Sequence, residues 1–194
     1  MLGLEHDWPV DETKLMEPVY TPAFEGPQHD DILVGNRGYG DRFEANDWST
    51  RATDLGTFGA AGDVTLENLS IDNDSDRDMF KLETTVAVRL SATVEPVGET
   101  YSSGPQNPID GSCPPGPDFD SLNIHDLRLE LLNSGGGTLA SENETGTGSP
   151  ELLEYVIDTP GRYYIRVQGD PTNAVQLYSL TITTGSLVGG VTLY

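Results

Sequence analysis

From about Asp63 onward, apolar residues fall on every second position, the spacing of strands with one buried face. In "VAVRLSATV" they are Val86, Val88, Leu90, Ala92 and Val94. The alternation recurs at Leu127, Leu129 and Leu131, at Leu153, Tyr155 and Ile157, at Tyr163, Ile165 and Val167, and at Tyr178, Leu180 and Ile182. Turn-forming stretches separate these runs: "NSGGG", "ENETGTGSP", "DTPG" and "GDPTN". Repeated short alternating runs with no helical period between them predict a mainly β chain, folded as an antiparallel β-sandwich of jelly-roll-like form.

Three stretches break the pattern. Residues 1–40 are rich in Pro, His and acids and show no alternation, only a short helix predicted around "HDDILVGNRGYG". That segment is too short and too polar to hold a core, so it reads as the end of another domain, and poor packing is expected of it. Residues 99–120, "ETYSSGPQNPIDGSCPPGPDFD", are studded with Pro and Gly and cannot form a central strand, because proline lacks the ladder donor. They read as an insertion from one edge of the sandwich, and disorder is expected there. The division that follows is 1–40, a sandwich over 41–186, and a tail over 187–194 that resumes an apolar alternation.

Composition narrows the function classes. Ten Lys and Arg stand against 32 Asp and Glu, a net charge of −22, which repels phosphate backbones and excludes nucleic acid as a partner. The 22 Gly and 13 Pro suit short strands and turns. A single cysteine, Cys113, forms no internal disulfide. No apolar run reaches membrane-spanning length, so no membrane association is expected, and the amino end lacks a signal-peptide pattern. An export signal, if there is one, lies upstream of Met1.

The amino-terminal segment carries one motif with chemistry. "LGLEHD" places Gly3 and His6 at the G-x-x-H spacing, "KLMEPVY" places Met16 two residues before Pro18, and "PQHDDILVGNRGYG" follows. In this order they resemble the end of a matrixin-type metzincin zinc peptidase domain. The resemblance implies that His6 is the third zinc ligand, Gly3 the turn glycine and Met16 the Met-turn methionine, with Asp30, Asp31, Ile32, Tyr39 and Gly40 in the last helix. Zinc there would hold and activate a water for attack on a peptide carbonyl, with a glutamate as base. The H-E-x-x-H segment supplying two ligands and that base is absent and would lie just upstream of Met1. Neither His29 nor His125 sits in an H-x-x-x-H spacing, and no nucleophile elbow occurs. The chain by itself is therefore expected to be catalytically inactive.

The alternating region has its own landmarks. "EANDWSTRATDLG", "DSDRDMFKL", "LRLELLNSGGGTLAS", "TPGRYYIRV" and "YSLTITTG" resemble, in order, those of the bacterial pre-peptidase C-terminal domain, over roughly residues 43–185. Such domains are similar to collagen-binding modules of secreted bacterial proteases. Some relatives bind calcium, and by that resemblance Glu44, Asn46, Asp47, Asp76 and Asp78 are the candidate calcium ligands, oxygen donors suited to a hard cation. Arg42 departs from the pattern where another acid would help. The run from Asp72 to Asp78, with Glu83 at a twelfth position, is not an EF-hand, because Arg77 stands where that loop needs glycine. A solvated acidic turn without metal is the alternative. Trp48 is expected to pack over one end of the sandwich rather than to serve as a carbohydrate platform.

These readings imply a fragment of a secreted zinc metalloendopeptidase, acting on protein and extracellular-matrix-like polymers such as collagen, with the sandwich aiding secretion, stability or docking. The alternative is a non-catalytic, calcium-stabilised adhesion or substrate-binding module, and a third reading is a structural repeat of a large surface protein. A monomer is expected in each case.

Overall fold

The computed structural model describes residues 26–102 and 116–187, together with Glu17, Pro22, Gly104, Asn107, Ile109 and Asp110. One helix and eleven strands follow in chain order: α1 (His29–Tyr39), β1 (Thr53–Phe58), β2 (Gly62–Ile71), β3 (Arg77–Thr84), β4 (Val88–Val97), β5 (Thr100–Ser102), β6 (Asp118–Asp120), β7 (Arg128–Asn133), β8 (Thr138–Glu142), β9 (Glu151–Ile157), β10 (Gly161–Gln168) and β11 (Gln176–Ser186). The larger strands make two sheets, of order β1-β3-β10-β7-β8 and β2-β11-β4-β9, while β5 and β6 pair only with each other.

The predicted alternation is what joins the sheets. Val88, Leu90, Ala92 and Val94 of β4 and Tyr178, Leu180 and Ile182 of β11 turn inward from one sheet, and Phe80, Leu82, Leu129, Leu131, Ile165 and Val167 meet them from the other. All are fully buried. Removing such side chains from water supplies about 1.5–3 kcal/mol each, the main term holding the layers together. Of the other alternating positions, Tyr155 and Tyr163 are half-buried against this core, and Val86 is 43% exposed in the turn before β4.

The sheets are not wholly antiparallel, because β1 runs parallel to β3. Between them the chain passes through β2 in the opposite sheet, and such a crossover lets two strands of one sheet point the same way. In β2 the period also breaks: Leu66 and Leu69 are both buried although three positions apart. Tyr178 and Leu180 of β11 face Leu69 and Leu66, so β2 carries one extra residue, and Asn68 absorbs it with a positive φ of 56°.

Helix α1 packs against the sandwich. Gln28 N donates to Asp31 Oδ2 at 2.8 Å at its start, Asp30 and Asp31 occupy the first turn and Arg37 the last, an order that suits the helix dipole. Leu33 packs with Val175 and Leu177, flanked by Ile32 and Tyr101, and Arg37 Nη1 donates to Asn173 O at 2.9 Å. Poor packing, expected for residues 1–40, does not hold for this helix.

The insertion is ordered at both ends, contrary to expectation. Strands β5 and β6 pair in register, Tyr101 meets Phe119 edge-on, and Ser121 Oγ accepts from Glu99 N. Below that clasp the buried side chain of Gln176 accepts from Ile124 N and His125 N and donates to Ser121 O and Leu177 O. Gly98 permits the closure, since a Cβ there would lie 2.3 Å from Leu122 N.

Candidate metal centre

The segment between α1 and β1 crosses the end of the sandwich where β2 turns into β3. Asp41 anchors it: Oδ1 accepts from Phe43 N at 2.7 Å and Oδ2 from Ser70 N, at the end of β2, at 3.0 Å. Gly40, with φ 68°, begins the crossing, and a Cβ there would collide with the Glu44 side chain at 2.3 Å. Ala45 is left-handed without being glycine, φ 73°, which costs energy, and it separates the exposed Glu44 from the buried Asn46. Asn46 is then tied to β3, its carbonyl accepting from Met79 N at 3.2 Å.

The β2–β3 turn supplies the other wall. Asp72 N donates to Asp76 Oδ2 at 2.7 Å, and Ser75 N donates to Asn73 Oδ1 at 2.9 Å, closing a tight polar loop. These two walls bring carboxylate oxygens of Glu44, Asp47 and Asp76 within 4.8 Å of one another, the one such group of three among the described residues. Two oxygens on a common calcium ion, each at roughly 2.3–2.6 Å from it, lie no further apart than about 5 Å.

Asn46 and Asp78 complete the predicted set from deeper in the fold. Asp78, fully buried on β3, accepts from Tyr178 Oη of β11 at 2.5 Å, a hydrogen bond that spans the two sheets. Its other oxygen, Oδ1, has no partner, and neither has Asn46 Oδ1 or Asp76 Oδ1, all three being buried. Unpartnered buried acceptors are costly and uncommon, and a cation is a group that satisfies several at once.

The electrostatics agree with the geometry. Burial pushes the Asp76 carboxyl up from 3.8 to about 8, with Glu44, Asp72 and Asp47 adding repulsion. Asp78 rises well above the usual range, from burial and then from Asp76 and Asp41. Asp41, Glu44 and Asp72 are raised as well, burial being the first cause in each. Without a positive charge at its centre, this cluster favours retained protons.

The structure thus gathers Glu44, Asp47 and Asp76, with Asn46 and Asp78 beneath them, and adds Asp41 and Asp72, which sequence reasoning left out. Arg42, the apparent departure, lies with its guanidinium 4.6 Å from the Phe43 ring centroid, and the neighbouring acid Asp41 spends its two oxygens on backbone N–H groups.

No zinc centre forms among the described residues, and His6, Gly3 and Met16 lie outside them. Asp30, Asp31, Ile32 and Tyr39, assigned by the peptidase resemblance to a terminal helix, belong to α1. His29 sits edge-on to Tyr101, with its pKa lowered by burial, and His125 is buried before β7 with Nε2 3.1 Å from Ala174 O.

The sequence matches no protein-family model and no curated protein. Among solved structures, the pre-peptidase C-terminal domain of a collagenase from Bacillus anthracis aligns at 13% identity and a TM-score of 0.39, covering 68% of this chain and 95% of that one. PliG of Aeromonas hydrophila, a periplasmic inhibitor of g-type lysozyme, aligns at 12% identity and a TM-score of 0.38, covering 68% of this chain and 99% of that one. Likeness at this level does not bear on function.

Proposed function

We propose that residues 26–187 are a non-catalytic β-sandwich module stabilised by calcium, belonging to an extracellular protein and serving adhesion or substrate docking. The observation that carries this reading is the set of unpartnered buried oxygens, Asn46 Oδ1, Asp76 Oδ1 and Asp78 Oδ1, beside the Glu44–Asp47–Asp76 cluster. Glu44, Asp47 and Asp76 would hold the ion, with Asn46 and Asp78 as inner donors. An all-oxygen, acidic set selects a hard cation over zinc or copper. Bound there, calcium would cancel the mutual repulsion of the carboxylates and tie the segment after α1 to the β2–β3 turn. An extracellular setting, where calcium is abundant, suits the acidic surface.

A zinc metalloendopeptidase as the parent protein draws no support from the described residues, because the helix assigned to it packs on the sandwich and the residues that carry it lie elsewhere. The test of the module is thermal unfolding in a chelator and again in millimolar calcium. Calcium should raise the Tm by several degrees, since a ligand of the folded state alone stabilises it by mass action. An unchanged Tm would remove the metal and the function built on it.

A further inference from the structure

The outer face of the five-stranded sheet carries Arg77, Lys81, Arg128, Arg162 and Arg166, half of the ten Lys and Arg in a chain of net charge −22. Three of these are neutralised where they stand. Lys81 Nζ lies 2.7 Å from Asp54 Oδ2, Arg162 Nη2 lies 3.0 Å from Glu83 Oε1, and Arg166 Nε donates to Glu130 Oε2 at 2.6 Å. The guanidiniums of Arg77 and Arg128 make no ion pair among the described residues, although Arg128 tempers the upward shift of nearby Asp126.

These two occupy one row. Gln168 of β10 is in register with Arg77 of β3 on one side and with Arg128 of β7 on the other. At the usual strand spacing their Cα atoms stand about 10 Å apart. Trp48 joins the row from the loop that Asn46 pins to Met79, with its ring centroid 6.0 Å from the Arg77 guanidinium. It was expected to pack over the sandwich and is instead 61% exposed.

From this arrangement we propose that Trp48, Arg77, Gln168 and Arg128 form a binding face for an acidic glycan that carries one carboxylate per disaccharide. An exposed indole offers an apolar platform for a sugar ring, while each guanidinium takes a carboxylate in a fork of hydrogen bonds and the amide serves hydroxyls between them. The two arginines stand in one row with Cα atoms about 10 Å apart, about the length of a disaccharide in an extended chain, a spacing that suits an alternating uronate glycan better than one charged at every sugar. The net negative charge does not forbid this, because at physiological ionic strength it is screened beyond about 8 Å. The proposal rests on the calcium reading in one respect: Trp48 follows Asp47 and Arg77 follows Asp76, so the ion would fix both walls of the platform.

The test is calorimetric titration of the full chain in millimolar calcium with hyaluronan oligosaccharides, with neutral cello-oligosaccharides and poly-glutamate as comparisons. Hyaluronan fragments should bind, and Trp48→Ala, by loss of the apolar platform, and Arg128→Gln, by loss of one charge-assisted contact, should each weaken them about tenfold or more. Both side chains are exposed and neither is a candidate ion ligand, so both variants should keep the calcium-induced rise in Tm. Wild-type protein that shows the calcium shift but no glycan heat overturns the glycan face and leaves the metal reading standing. Equal binding of the neutral sugar, unchanged binding in both variants, or tighter capture of poly-glutamate also overturns it. Loss of the calcium shift itself refutes the metal reading instead.

Discussion

Stripping divalent cations with a chelator and raising the pH from about 5 to about 7 probes the acidic cluster through its protons. Asp76 has a folded-state pKa of about 8 against 3.8 when exposed, so between those values the folded state holds a proton that the unfolded chain has released. Its favourable contribution is complete below the unfolded value and is lost as pH rises through the folded one. Each pH unit in that window costs about 1.4 kcal/mol per proton, so two units cost about 2.7 kcal/mol from Asp76 alone. Asp78, Asp41, Glu44 and Asp72 are shifted in the same direction and deepen the loss. For a chain of this size the loss from Asp76 alone should lower the Tm of the calcium-free protein by roughly 5–10 °C. Calcium at about a hundredfold above its Kd returns about 2.7 kcal/mol at the higher pH. Asp76→Asn should flatten the pH dependence and remove most of the calcium response. The assay is scanning calorimetry of both proteins, each with and without calcium. A calcium-free Tm that is level across this range, or a calcium shift as large in Asp76→Asn as in the parent, refutes the reasoning.

Other outcomes follow from the packing. Gln176→Ala strands the N–H groups of Ile124 and His125 and the carbonyl of Ser121, and should lower stability by about 2–4 kcal/mol in urea unfolding; a loss near zero would show that the insertion's base is held otherwise. Leu33→Ala should free α1 and open residues 29–39 to limited proteolysis while leaving the sandwich folded, whereas cleavage there in the parent chain would contradict the docking. The purified chain supplied with zinc should not cleave casein, and zinc-dependent cleavage would restore the peptidase reading.

The sandwich was legible because burial imposes a period that survives in sequence: every inward position of β4, β7 and β11 read from the alternation is buried except Val86, which falls in a turn. What the period cannot carry is pairing direction, so β1 beside β3 was unreadable, and it fails wherever a bulge flips the parity, as Asn68 does in β2. The ends of the insertion were missed because their order comes from distant partners, chiefly Gln176, rather than from local propensity. At the acidic cluster, Glu44, Asn46, Asp47, Asp76 and Asp78 were named by the resemblance to the pre-peptidase C-terminal domain, and the structure places Glu44, Asp47 and Asp76 together. Asp41 was not named, since its part depends on Ser70, 29 residues further along the chain. Trp48 misled for a related reason: an isolated tryptophan is usually a core residue, and only the loop's attachment to Met79 turns it outward.

The most direct test of the account is anomalous diffraction from crystals grown in calcium chloride. One peak should appear, enclosed by carboxylate oxygens of Glu44, Asp47 and Asp76, with the side chains of Asn46 and Asp78 turned toward it. Ordered water between those side chains and no peak, in crystals at millimolar calcium and neutral pH, would contradict the metal reading.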